Sequence, residues 1–197
     1  MSTIVEPVSN PAHFEYVLRL GDNALILGQR LSEWCGHSAF VEEDVALANI
    51  ALDHIGRARM LLSLAGDLQG RGQTEDELAF NRNEREFKNF LLRELPIGDF
   101  VFTIVRQVLL DTYHYHLFDR LQQSIDPTLA AIAAKVVKRV RTSYVTLRNS
   151  LSASATAPRK VGVVSRMRLT SNSDLPANCS PQTLLMSLPT WQVSGHV

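Results

Sequence analysis

Residues 99–123 read DFVFTIVRQVLLDTYHYHLFDRLQQ. Val101, Ile104, Val108, Asp111, Tyr115 and Phe118 form one seam at three- and four-residue spacing, with a neighbouring stripe of Leu110, His114, Leu117 and Leu121. That period is the signature of a helix with a buried face. Asp111 lies on this face, where a polar side chain costs free energy unless a partner satisfies it.

The same period extends outward in both directions. Val17, Leu20, Ala24, Leu27, Leu31 and Trp34 predict a first helix, ended at Gly36. A second is expected from about Val41 to Leu68, opened by Glu42, Glu43 and Asp44, whose charge suits a helix N-terminus, and stopped by Gly70-Arg71-Gly72. A short polar helix from Thr74 is expected to lead into another over Glu84–Glu94, with Phe87, Phe90, Leu91 and Leu95 on its apolar face, before Pro96 and Gly98 turn the chain. Downstream, Asp126-Pro127 is a start signal for a helix carrying Leu129, Ile132, Ala133 and Val136. No strand-like alternation accompanies these segments, so the fold class is all-α, and short connections favour an antiparallel helical bundle.

Composition changes near Lys138. Nineteen of the twenty acidic residues and thirteen of the twenty Lys and Arg precede Arg139, so a segment of net charge −6 is followed by one of +6, where Asp174 is the one acid. The expected organisation is a flexible N-terminus over 1–11, a helical domain over 12–138 and an irregular C-terminal tail over 139–197, rich in Ser, Thr, Arg and Pro. Basic residues are not interleaved with aromatics on any one face, which argues against nucleic-acid binding. No apolar run approaches the ~20 residues of a membrane span, and the N-terminus lacks a secretory pattern. Cys35 and Cys179 form neither a disulfide framework nor a metal pair, and a cytoplasmic, reducing location is expected.

Two positions place acids on faces read as inward. Asp111 and His114 have the carboxylate-x-x-imidazole spacing that supplies ligands in di-iron bundles. Asp53 is read on a seam with Ala46, Asn49, Gly56 and Met60, but Gly56 stands where an imidazole would be needed, and His54 points about a quarter-turn away, toward a polar contact. Asp53, Asp111 and His114 are therefore degenerate, ligand-like positions, and the reading assigns no catalytic, cofactor-binding or metal-binding residue. Cys35-Gly36-His37 offers too few ligands, and Glu42-Glu43-Asp44 is read as a solvated helix start.

These stretches together resemble the C-subunit family of the bacterial phenylacetyl-CoA ring-1,2-epoxidases, a ferritin-like family of phenylacetate catabolism, over about residues 14–138. The likeness rests on Leu18 to Asn23, Gln29 to His37, Asp44 to Asp53, Glu84 to Phe87, the surroundings of Asp111 and His114, and Asp126-Pro127 through Lys135. It implies a ferritin-like bundle and a structural, non-catalytic subunit of a multicomponent oxygenase. The implied partner is a related A subunit that holds a di-iron site and binds phenylacetyl-CoA, with a reductase and other subunits completing a hetero-oligomer. No cofactor is expected in this chain. Arg19, Arg30, Arg57 and Arg59 are read as surface groups available to a partner helix. After Lys138 the sequence departs from the family, and codons permitted for residues 144–159 also spell helical, family-like sequence in another frame, so a frame-shifted tail and a truncated bundle are expected, with a genuine disordered interaction segment as the alternative reading of the tail. The rival expectations are an autonomous metal-dependent enzyme using Asp53, Asp111 and His114, and an unrelated helical interaction module.

Overall fold

The computed structural model describes residues 10–38, 40–96 and 98–156, with side chains through Ser150. Among them every regular element is helical. Asn10 caps α1 (Pro11–Ser32) by accepting the His13 N–H at 3.1 Å, and Pro11 takes the first turn, where its missing N–H costs nothing. Pro11 thus belongs to the helix rather than to a flexible lead; residues 1–9 lie outside the described residues.

α2 (Val41–Gln69) packs along α1 at close range. A Cβ at Gly21 would stand 2.8 Å from Leu62 Cδ2, and one at Gly28 would stand 3.2 Å from the Ala51 carbonyl oxygen. Two glycines seven residues apart therefore let the helices approach through one face of α1. Asp44 ties the preceding turn by accepting the Gly36 N–H at 2.9 Å, a bond beyond the solvated role read from its acidic cluster. Gly70, at φ +68°, ends α2 in the left-handed conformation that glycine adopts without a Cβ clash. A capping box between Thr74 and Glu77 starts the short α3 (Glu75–Phe80).

The expected helix over Glu84–Glu94 is replaced by two single 3₁₀ turns, Glu84–Glu86 and Leu91–Arg93, with extended backbone over residues 87–90 between them. The cause is long-range. Asp22 of α1, fully buried, accepts two guanidinium bonds from Arg82 and the Lys88 N–H at 2.9 Å, while Asn23 accepts the Phe90 N–H at 2.8 Å. Backbone donors drawn to α1 in this way are not available to a continuous helix.

α4 (Phe100–Leu121) starts at Asp99, which accepts the Phe102 N–H at 2.6 Å. α5 (Pro127–Thr156) starts at Asp126, which accepts the Thr128 N–H at 2.8 Å. α5 runs past Lys138 without interruption, and Val136, Val140, Ser143 and Leu147 are buried along one face. The irregular tail expected from Arg139 is thus revised for residues 139–156: the charge balance changes at 138 but the three-four spacing that buries a helix does not. Residues 157–197, and with them Asp174 and Cys179, lie outside the described residues.

The core is divided. One apolar cluster gathers Val17, Leu61, Leu62, Phe118, Ala133 and Val140, and a second gathers Leu27, Leu31, Leu47, Ile50, Ile104 and Leu147. On α2, α4 and α5 alike, the buried residues between the two clusters are polar. That layer is the candidate site.

Candidate functional site

His54 and Arg57 come from α2, Gln107, Asp111 and His114 from α4, Ser143 from α5 and Arg93 from the second 3₁₀ turn, all buried. Positions 107, 111 and 114 recur at four and three residues, so α4 turns one polar face inward. Arg93 reaches the interior because Asn23 fixes the backbone at Phe90, three residues earlier.

Asp111 Oδ2 accepts the Ser143 hydroxyl at 2.5 Å and Oδ1 accepts Gln107 Nε2 at 2.8 Å. Gln107 Nε2 also donates to His54 Nε2 at 3.0 Å. His114 lies between two guanidiniums: Arg93 Nη2 is 2.7 Å from its Nε2, and Arg57 Nη1 is 3.4 Å from its Nδ1. A guanidinium only donates, and a neutral imidazole carries one acceptor nitrogen. The shorter contact is the hydrogen bond, which puts the ring proton on Nδ1. The two guanidiniums also lie over aromatic faces, Arg57 over Phe118 at 5.3 Å and Arg93 over Phe90 at 5.2 Å.

Burial dominates the ionisation. It holds the His54 and His114 imidazoles well below their ordinary value, with the charges of Arg57 and Arg93 adding to the effect, so both rings are neutral at neutral pH. Burial raises the Asp111 carboxyl to about 6, against the opposing pull of the Ser143 bond, the Arg57 charge and the Gln107 bond. It lowers Arg57 to about 10 and Arg93 to about 9, and both stay cationic.

The residues singled out in the sequence divide. Asp111 and His114 do face inward on α4, each held by its own partners. Asp53 does not join them: it is half-buried and faces α5, with its carboxylate 3.6 Å from Arg139. The seam of Asn49, Asp53 and Gly56 is the outer one on α2, and a Cβ at Gly56 would meet nothing within 4 Å. The inward line is Leu47, Ile50, His54, Arg57 and Leu61, so His54 is a core residue. Arg57, read as a surface group, is buried, and Tyr115, read on the inward seam, is exposed. Arg19 pairs with Glu15 at 3.3 Å, Arg30 with Glu33 at 2.6 Å and Arg59 with Glu75 at 3.1 Å, each at the surface. His37 Nδ1 contacts the Cys35 carbonyl within its own turn.

The donor set does not suit a di-iron centre in this chain. The lone pair of His114 is directed at Arg93, both oxygens of Asp111 are engaged, and two guanidiniums stand where a metal would add further positive charge. Among the described residues no three of His, Cys, Asp and Glu converge into a group that could hold a metal ion.

A sequence-family model described as "Phenylacetic acid catabolic protein" matches residues 2–141. The chain is also 57% identical over 126 residues to the C subunit of the 1,2-phenylacetyl-CoA epoxidase of Escherichia coli (strain K12), an alignment covering 64% of this chain and 50% of that relative. It spans about half the length of the curated relative it matches. The all-α architecture is consistent with a ferritin-like bundle.

Proposed function

The chain belongs to the phenylacetic acid catabolic protein family, and from that premise we propose that it is a structural, non-catalytic subunit of a phenylacetyl-CoA 1,2-epoxidase. In this reading it pairs with and stabilises a related A subunit that bears the di-iron chemistry, in a cytoplasmic hetero-oligomer with the other components of the oxygenase. The observation that carries the reading is the commitment of Asp111 and His114: the carboxylate-x-x-imidazole pair of a ferritin-like helix is here bonded to Ser143, Gln107 and Arg93. Groups satisfied in this way act as architecture.

A largely exposed apolar helix face supports association. Val41, Val45, Leu52 and Ile55 fall on one stripe of α2 and are all exposed, Val41 at 76% and Leu52 at 64%. Intervals of four, seven and three residues keep them on one side of the helix, the pattern by which one helix packs on another. Among the described residues no helix is long and apolar enough to cross a membrane, so a lipid-spanning role is not the use of this face.

The test is co-expression of this chain with an A-type subunit, followed by affinity capture through a tag on A and size-exclusion chromatography. A stable complex that Leu52→Lys weakens at least tenfold supports the reading. Failure of the wild-type chain to associate overturns it.

A further inference from the structure

Beside the buried polar layer a cleft of about 390 Å³ opens between α1, α4 and the segment before α4. Its inner end carries Arg57, Arg93 and His114, and its walls include Phe90, Tyr113 and Phe118. Its size falls within the range of small-molecule sites, which are mostly apolar with a few convergent polar groups.

The charges at the inner end do not balance. Arg57 is 4% exposed and Arg93 1%, and both are cations. Arg57 feels the carboxylates of Asp111 and Asp53, but among the described residues Arg93 has no carboxylate partner. Asp53 is engaged by Arg139, and Glu15, at the mouth of the cleft, by Arg19. Nε of Arg57 and both Nε and Nη1 of Arg93 are buried N–H donors without a hydrogen-bond partner. A buried guanidinium with spare donors is costly unless an acceptor of opposite charge reaches it. Its planar fork can receive the two oxygens of a carboxylate or a phosphate.

We propose that this cleft binds a small organic monocarboxylate, its carboxylate received by Arg93 and Arg57 and its apolar body lying against Tyr113 and Phe118. One negative charge is what the pair of guanidiniums lacks after Asp111 is counted. A dianion such as phosphate would over-neutralise the site and leave the aromatic walls unused. The site is independent of the structural role proposed above: a subunit that contacts no substrate at the reacting centre can still sense or hold a carboxylic acid.

Calorimetric titration of the full chain with benzoate and with hexanoate tests this, with benzamide, hexanamide and inorganic phosphate as comparison ligands. The acids are expected to bind one per chain and to raise Tm, with the amides about tenfold or more weaker, as befits loss of a bond to a charged group. Arg93→Met should abolish the preference for acid over amide. Leu117→Trp, which fills the cleft and leaves both guanidiniums in place, should abolish binding and decides the matter if Arg93→Met does not fold. Equal binding of acid and amide, tighter binding of phosphate, unaltered binding in Leu117→Trp, or no binding of either acid would each overturn the proposal.

Discussion

Arg93 donates to His114 across 2.7 Å, so a residue from a 3₁₀ turn occupies the lone pair of the imidazole that sequence spacing offers as a metal ligand. The bond depends on chain brought in from far away, since Asn23 on α1 sets the backbone that carries Arg93. A guanidinium here does electrostatically what a metal cation does in related bundles: it gives an inward histidine something positive to face. The remaining neighbours, Asp111, Gln107, His54 and Ser143, form a chain of bonds across three helices.

Asp111→Asn should destabilise the chain by about 3–5 kcal/mol, the cost of removing one partner from a buried charge arrangement. Gln107 Nε2 can only donate, so the new amide must keep its oxygen on that side and turn its nitrogen to Ser143, whose hydroxyl would have to reverse and accept, while Arg57 would lose its largest offsetting charge. Chemical denaturation with a shift in midpoint and an unchanged m-value is the check.

Acid should destabilise the fold, with a sign that can be followed group by group. His54 and His114 have folded values well below 6.5, so below that pH the unfolded chain takes up protons the folded chain refuses, and stability falls as pH falls. Asp111 works in the other direction: with its folded value near 6 and its ordinary value 3.8, it stays protonated longer in the folded chain and adds stability as pH falls through that window. Two groups oppose one. Stability is therefore expected to fall as pH drops below about 6.5, and Asp111→Asn should make the fall steeper. Tm against pH for the two proteins measures it.

Asp22→Asn should release the segment from Arg82 to Phe90. The Asp22 side chain is fully buried and Arg82 nearly so, with relative exposures of 0% and 12%. Loss of the carboxylate charge leaves a guanidinium poorly compensated, at a cost of about 3 kcal/mol. Limited proteolysis should show new cleavage between Arg82 and Lys88, and hydrogen exchange should rise at the Lys88 and Phe90 amides.

Two glycines on α2 should respond oppositely to alanine. At Gly66 a Cβ would come within 2.4 Å of the Gln73 carbonyl oxygen, a backbone atom, so Gly66→Ala should destabilise by about 1–3 kcal/mol. At Gly56 the space is open and the helix continuous, so Gly56→Ala should stabilise by about 0.5–1 kcal/mol. Thermal melts of the pair check the assignment of Gly56 to the outer face.

The helices themselves are legible because their apolar residues recur at helical spacing, and Asp111 and His114 are placed inward by the same rule. The rule fails on α2, where neighbouring seams differ by a fraction of a turn and a long helix packs against both α1 and α5. Arg57 reads as outward because cationic side chains are usually solvated, whereas His54 reads as turned from Asp53 toward a polar contact, which the structure supplies through Gln107. Their spacing of four and seven residues from Ile50 is the available signal. Arg93 carries no local signal at all, since its inward course follows from bonds between α1 and a segment some 65 residues later. The continuation of α5 is masked by composition, yet Val136, Val140, Ser143 and Leu147 keep the period, with the hydroxyl of Ser143 spent on Asp111.

The ligand-like pair of this chain is committed to protein partners, and in the proposed complex the metal belongs to the other chain. Iron analysis of the purified complex, with each protein quantified separately, tests this most directly. Iron is expected in proportion to the A component only, unchanged by His114→Gln in this chain. Iron in excess of that, lost on His114→Gln while the complex stays assembled, would contradict it.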